Sequence, residues 1–384
     1  MQQVSQALTD HQLMDLALRL GARFAGATGD NPAVGCVIAR HHPNHTDILG
    51  IGWTQQGGRP HAERVALAEA GAAARGAIAY VTLEPCSHHG RSSPCAEALI
   101  EAGIARVVCA HPDPDPRVSG LGFAMLREAG ILVETGLLEP VAHRNLAGFL
   151  SRITRGTPWL EAKMALSPDG MIGKQGVGNY PITGVEAKRH THAMRARADA
   201  ILVGVETVLV DNPSLTVRLP GLEHRSPLRV ILDSKGRTPE TSALVHGARD
   251  VPVMILTTGA ISTEKALLLE DHGCTVHLVE ADKEGRVDLD AALRLLGDRG
   301  INRLFAETGA KLAEALLTGA FVDEFHLYRG SKTVGEHGLK GLGDDPDAML
   351  QAAGLSLERT KHAGTDRLQT YVRAASLSAL YQRK

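Results

Sequence analysis

Three soft donors constrain this chain more than any other feature: His61, Cys86 and Cys95. They stand far apart along the sequence and can serve one ion only if the fold brings them together. A borderline-soft ion such as zinc is well served by one imidazole and two thiolates, with a fourth position left to water. Each cysteine follows a proline, and the two flank a Gly-Arg turn within the segment PCSHHGRSSPC. Glu63 follows the histidine closely enough to shuttle protons from that water without being a ligand. A single His or Cys is ordinarily packing or surface. A Pro-Cys pair that recurs downstream of His-x-Glu is much harder to obtain from packing alone.

The pattern is similar to the signature of zinc deaminases of nucleobases, H-x-E followed by P-C-x-x-C. Here the cysteines are nine positions apart by number, so the first half reads as a hydrolytic deaminase with a lengthened loop inside its metal site. Zinc on His61, Cys86 and Cys95 would lower the pKa of its water toward neutrality. Glu63 would take that proton and return it to the departing amine. Asn31, just before the first strand, could hydrogen-bond a pyrimidine, although Asn31-Pro32 would signal a turn in any case. His88, His89 and Arg91 lie in the inserted loop, and Arg91 is the expected substrate contact.

A length of 384 residues suggests two or three domains, and 43% hydrophobic residues are ample for their cores. Aromatics at 3% and a net charge of −2 argue against stacking platforms and basic fields for nucleic acid. A small substrate is favoured. No long apolar run and no basic-then-apolar start indicate a membrane span or signal peptide. Cys36, Cys109 and Cys274 sit in apolar stretches and read as buried free thiols, so a reducing cytoplasm fits best.

In chain order, residues 10–27 have a helical apolar spacing with Asp10 as a plausible N-cap. A hairpin turning at His41 to Asn44 follows, then a helix from His61 to Ala70 with His61 and Glu63 in its first turn. AIAYVTLEP is a strand, Cys95 opens a helix, and ARVVCAH, a helix to Ala129 and ILVETG complete an α/β layered pattern. Residues 138–158 contain a short helix, with a soft boundary near 150. The second half begins with a strand, a Pro-Asp-Gly turn and a return. It continues with strands at LRVILD, VPVMILTT, TVHLVE and NRLFAE. NRLFAE runs into Thr308 to Lys311 and a helix, a weak anion-site signal by itself, and no GxGxxG fingerprint accompanies it.

The strings NPAVGCV, HAE, TLEPCSHHGRSSPC and DPDPRVSGLG, with KMALSPDGMI, ILDSKGR and AETGAKLAEALL further on, resemble the bifunctional riboflavin-biosynthesis deaminase/reductase family. The likeness covers nearly the whole chain and implies a cytidine-deaminase-like layered α/β/α domain over 1–150. A dihydrofolate-reductase-like α/β domain is implied over 151–384. It implies zinc-dependent deamination of a diaminopyrimidine ribotide, then NADPH-dependent reduction of the ribosyl group to ribityl. Cofactor contacts carry over onto Ala165, Thr207, Asp211, Ser234, Gly309, Ala310, Lys311, Leu312, Ala313, Glu314 and Ala315. Substrate contacts carry over onto Asn179, Arg195, Leu215, Arg218 and Glu307, the two arginines suiting a ribose phosphate. Lys163 and Glu307 are possible polar helpers in reduction. Pro181 stands where many relatives have Trp.

The expected partners are a small pyrimidine ribotide and further copies of the chain in a homo-oligomer, with no nucleic acid and no membrane. Three rival readings stay open at this point: a nucleic-acid editing module, a structural zinc protein with an incidental Glu63, and a deaminase with a decayed second half.

Overall fold

The computed structural model of the chain describes residues 7–89 and 93–376. They divide into two compact units, the first running to Arg155 and the second beginning at Gly156.

The first unit runs α1 (Asp10–Ala22), β1 (Gly35–His41), β2 (Thr46–Trp53), α2 (Ala62–Ala70), β3 (Ile78–Val81) and α3 (Cys95–Glu101), then β4 (Arg106–Cys109), α4 (Leu121–Glu128), β5 (Leu132–Thr135) and α5 (Glu139–Arg155). Its sheet has the order β2-β1-β3-β4-β5, with β1 antiparallel to both β2 and β3 and the β3-β4-β5 run parallel. The hairpin expected through His41 to Asn44 is present. The register places α1 and α2 on opposite faces. A Cβ on Gly35 would strike the Ala17 carbonyl, whereas Cβ atoms on Gly50 and Gly52 would strike those of Ala66 and Ala62. Gly52 pairs with Cys36, the neighbour of Gly35, and so points the other way from Gly35. The missing side chains let α2 lie directly on β2, which seats the helix start that carries His61.

Two local expectations change. Thr9, not Asp10, caps α1: its side chain accepts from Gln12 N while the Gln12 side chain accepts from Thr9 N. Asp10 instead holds Arg106 at 2.6 Å and accepts from Tyr80 Oη at 2.5 Å. Residue 150 falls inside α5, a 17-residue helix rather than a short one, because its apolar face from Ala142 to Leu150 is buried throughout.

The second unit runs β6 (Trp159–Leu166), β7 (Met171–Lys174), α6 (Val185–Arg195), β8 (Ala200–Gly204), α7 (Val205–Asp211), β9 (Leu228–Leu232), α8 (Ala243–His246), β10 (Val253–Thr257) and α9 (Thr263–Asp271). It continues with β11 (Thr275–Leu278), α10 (Leu289–Asp298), β12 (Arg303–Glu307), α11 (Ala310–Thr318), β13 (Glu324–Arg329), β14 (Gly338–Lys340), α12 (Pro346–Ala352), β15 (Ser356–Ala363) and β16 (Asp366–Val372). The main sheet has the order β11-β10-β9-β8-β12-β6-β13-β16-β15, parallel from β11 to β13 and antiparallel at β16 and β15. Its central strands are buried on both faces. Leu202, Leu304 and Ala306 enter one core with Leu293 and Leu316, while Ile201, Val203 and Phe305 enter another with Leu244 and Leu269. The return strand after Pro168-Asp169-Gly170 does not zip onto β6. β7 pairs with β14, and the Asp169 carboxylate accepts from Val334 N and Gly335 N, drawing that later segment over it.

From β8 the chain proceeds outward to β9, whereas from β12 it crosses β6 to reach β13. The two connections diverge above the carboxyl ends of β8 and β12, where ligands bind in open parallel sheets.

Candidate functional site

In the first unit the structure brings His61, Cys86 and Cys95 together. His61 is the N-cap of α2, Cys95 opens α3, and Cys86 follows the turn after β3. His61 Nδ1 lies 3.7 Å from Cys86 Sγ and 3.4 Å from Cys95 Sγ, and Cys86 Sγ accepts from Cys95 N at 3.3 Å. One donor atom from each residue falls within 4.8 Å of the other two. Hydrogen bonding from the Cys95 thiol pulls the Cys86 thiol down to about 4, with His61 adding to it, so one thiolate is already poised. The donor set and its spacing therefore fit a zinc ion.

Glu63 is 4% exposed, in the first turn of α2, and its carboxylate is hydrogen-bonded to Cys95. Burial raises its pKa to about 6, with His61 pulling the other way. A carboxylate near its own pKa at neutral pH can both accept and return a proton.

Glu84 has a part that sequence reading missed. Its Oε2 accepts from Asp113 N at 3.2 Å and Gly120 N at 3.1 Å, and its Oε1 from Gly122 N at 3.1 Å and Phe123 N at 3.3 Å. One buried carboxylate thus ties the DPDPRVSGLG loop and the start of α4 to the segment that carries Cys86. A charged residue closing an apolar strand beside a ligand was the available signal. Asn31 is half-buried and its amide donates to Asp30 Oδ1 at 3.1 Å. Arg91 lies outside the described residues.

In the second unit the residues expected to touch cofactor gather at strand carboxyl ends. Ala165 is in β6, Thr207 in α7 just beyond β8, Ser234 just beyond β9, and Gly309 caps α11 just beyond β12. Gly309 gives α11 no side-chain cap, and the helix begins just beyond β12, beside the divergence of β8 and β12. Lys311 and Glu314 are exposed, Ala310 and Ala315 half-buried. Ala313 is wholly buried, with Leu312 packed on the same core, so neither of those two side chains reaches the crevice. Ser234 Oγ accepts from Val287 N at 2.9 Å, and Asp211 is exposed at the end of α7.

Arg195 and Glu307 meet: Nε to Oε1 is 2.6 Å and Nη2 to Oε2 is 3.1 Å, while Nη1 donates to Thr216 O at 2.9 Å. The guanidinium is therefore largely occupied by protein, whereas Arg218 is exposed, its backbone N donating to His192 Nδ1. Burial would raise the Glu307 pKa, but Arg195 and then Lys163 outweigh it and hold it below the usual range. Lys163 is opposite Glu307 in the β6–β12 pairing, its Nζ 5.6 Å from the Tyr328 ring centroid, and burial lowers its pKa against the pull of Glu307. Leu215 is a core residue with φ 55°, and Asn179 is exposed. Tyr328 was also missed; its hydroxyl lies 2.5 Å from His190 Nδ1.

A family model of the cytidine and deoxycytidylate deaminase zinc-binding region matches residues 8–111, and one of the RibD C-terminal domain matches residues 158–367. The riboflavin biosynthesis protein RibD of Escherichia coli (strain K12) is 36% identical over 377 residues, covering 94% of this chain and 98% of its own. The chain belongs to the RibD family. Acinetobacter baumannii RibD superposes with a TM-score of 0.83 at 33% identity, over 94% of this chain and 98% of that one. A diaminohydroxyphosphoribosylaminopyrimidine deaminase/5-amino-6-(5-phosphoribosylamino)uracil reductase from Thermotoga maritima gives 0.80 at 29% identity, over 95% and 99%. The fold class is as expected, a cytidine-deaminase-like unit followed by the reductase unit of the family.

Proposed function

We infer that this chain is a bifunctional riboflavin-biosynthesis enzyme, deaminating 2,5-diamino-6-ribosylamino-4(3H)-pyrimidinone 5′-phosphate and then reducing its ribosyl group to ribityl. Zinc and NADPH are its cofactors. The observation that carries the site reading is the convergence of His61, Cys86 and Cys95 around the buried Glu63.

In the deaminase unit His61, Cys86 and Cys95 would hold zinc, which when bound acidifies a water and so supplies the nucleophile. Glu63 accepts the proton of the attacking water and delivers it to the amine as it leaves. Asn31 and Arg91 are assigned to the pyrimidine ribotide.

In the reductase unit NADPH, when bound, would supply a hydride to the ribosyl C1′; the C1′–O4′ bond opens and O4′ takes a proton from solvent, leaving the ribityl chain. The first amides of α11 and the residues Ala165, Thr207 and Ser234 at strand carboxyl ends are assigned to the cofactor. Arg218 is the cation assigned to the ribotide phosphate. Arg195 orients Glu307, and Glu307 with Lys163 offers polar contact to the sugar.

Incubating the protein with the diaminopyrimidine ribotide, with and without NADPH, tests this. Ammonia should appear in both cases and NADPH oxidation should follow it. NADPH oxidation that never follows deamination would leave the decayed-reductase reading standing. The rest of the second unit argues against decay, since its strands and both cores are complete among the described residues.

A further inference from the structure

We propose that the tip of the β1–β2 hairpin is a second divalent-cation site, built from His42, His45 and Asp47 and suited to zinc. The segment HHPNHTD is the densest group of imidazoles in the chain that the deaminase and reductase chemistry leaves unused. Its turn is closed by a hydrogen bond from His42 N to His45 O at 2.9 Å, and β2 begins at Thr46. The turn places the two imidazoles side by side, with ring centroids 4.4 Å apart and planes 9° from parallel. Both present Nε2 to one carboxylate: His42 Nε2 is 3.0 Å from Asp47 Oδ2 and His45 Nε2 is 3.6 Å from Asp47 Oδ1.

A donor atom from each of the three residues lies within 4.8 Å of the others. Tetrahedral zinc with bonds of about 2.0 Å needs its ligands about 3.3 Å apart. The two His–Asp separations straddle that value, so small side-chain rotations would complete one face of a coordination sphere. Two imidazoles and a carboxylate leave the remaining positions to water, an arrangement that borderline divalent ions accept.

His41, next in sequence, takes no part. Its Nε2 faces Tyr80 Oη at 3.0 Å and Asp10 Oδ1 at 3.3 Å, and its Nδ1 faces Thr46 Oγ1 at 3.1 Å. His41 ends β1, and His42 begins the turn beyond it. The site is separate from the His61 cluster. The turn joins the ends at which His41 pairs with Thr46, while the ribbon's far end, at Gly35 and Trp53, lies about 20 Å away by strand length. That far end adjoins the segment leading into α2.

The test uses the full chain and zinc alone. Protein dialysed to one zinc per chain is titrated with Zn2+ by calorimetry, and metal content is measured after gel filtration. A second equivalent is expected, weaker than the first. His42→Ala with His45→Ala should remove it while leaving the first equivalent and ammonia release as they were, and Asp47→Asn should weaken it. Saturation at one equivalent overturns the proposal, and so does a second equivalent that survives the double substitution. Cys86→Ser separates this from the deaminase reading, since it should lower the first equivalent and spare the second.

Discussion

Arg195 grips Glu307 with two nitrogens, Nε to Oε1 at 2.6 Å and Nη2 to Oε2 at 3.1 Å, and the arginine is 8% exposed. Removing one partner leaves the other buried and uncompensated, which costs about 3–5 kcal/mol. Arg195→Ala and Glu307→Ala should each destabilise the second unit by that order. The double variant should lose clearly less than the sum, read by urea denaturation in a double-mutant cycle. Additive losses would mean that the pair is not coupled. NADPH oxidation should fall in each single variant, with ammonia release retained.

Glu63→Gln should keep zinc and lose deamination by about 10²- to 10⁴-fold. Metal analysis beside an ammonia assay decides it. Loss of zinc in step with activity would make Glu63 a ligand rather than a proton carrier.

Cys86→Ser and Cys95→Ser should each lower zinc affinity and ammonia release, while reduction of the already deaminated ribotide continues. Zinc content unchanged in both variants would remove the two thiols from the metal site.

Glu84→Ala leaves four backbone N–H groups without their carboxylate. At about 1–3 kcal/mol for each buried donor left unsatisfied, the loss should reach about 3 kcal/mol even if water reaches most of them. Thermal denaturation measures it. Glu84→Gln, still an acceptor at one oxygen, should fall between the variant and the parent.

His143 is 1% exposed, with its ring stacked on His111 at 5.4 Å, and burial followed by the charge of His111 lowers its pKa to about 4. The unfolded chain, with a histidine near 6.5, binds the proton more readily, so stability is present above that value and is lost as pH falls toward 4. Between pH 7 and pH 5 this group should account for about 2 kcal/mol of lost stability. His143→Gln should reduce the parent's loss over that interval by the same amount in urea titrations. An unchanged acid limb would show that the ring does not carry it.

The strands up to β12, the hairpin, the helix starts at His61 and Cys95, and the grouping of His61, Cys86 and Cys95 were legible in the sequence. Each is written in short-range terms: a two- or three-to-four-residue apolar period, a turn dipeptide, or a side chain with only one chemistry to offer. What the tertiary structure decided was always a choice between partners distant in sequence. Asp10 and Thr9 both suit a helix cap, and Asp10 is withdrawn from that use by Arg106, 96 positions away. The return strand after Asp169 looks like half of a hairpin, yet pairs with β14. Arg195 reads as a phosphate ligand until Glu307, 112 positions on, takes its guanidinium. The insertion of β12 between β8 and β6 sets where the chain connections diverge, and no local pattern encodes it. Periodicity specifies which face of a segment leaves water. Which buried charge or strand edge meets it there depends on how all the segments pack, because an ion pair or a ladder is stabilised only once both halves have been desolvated together.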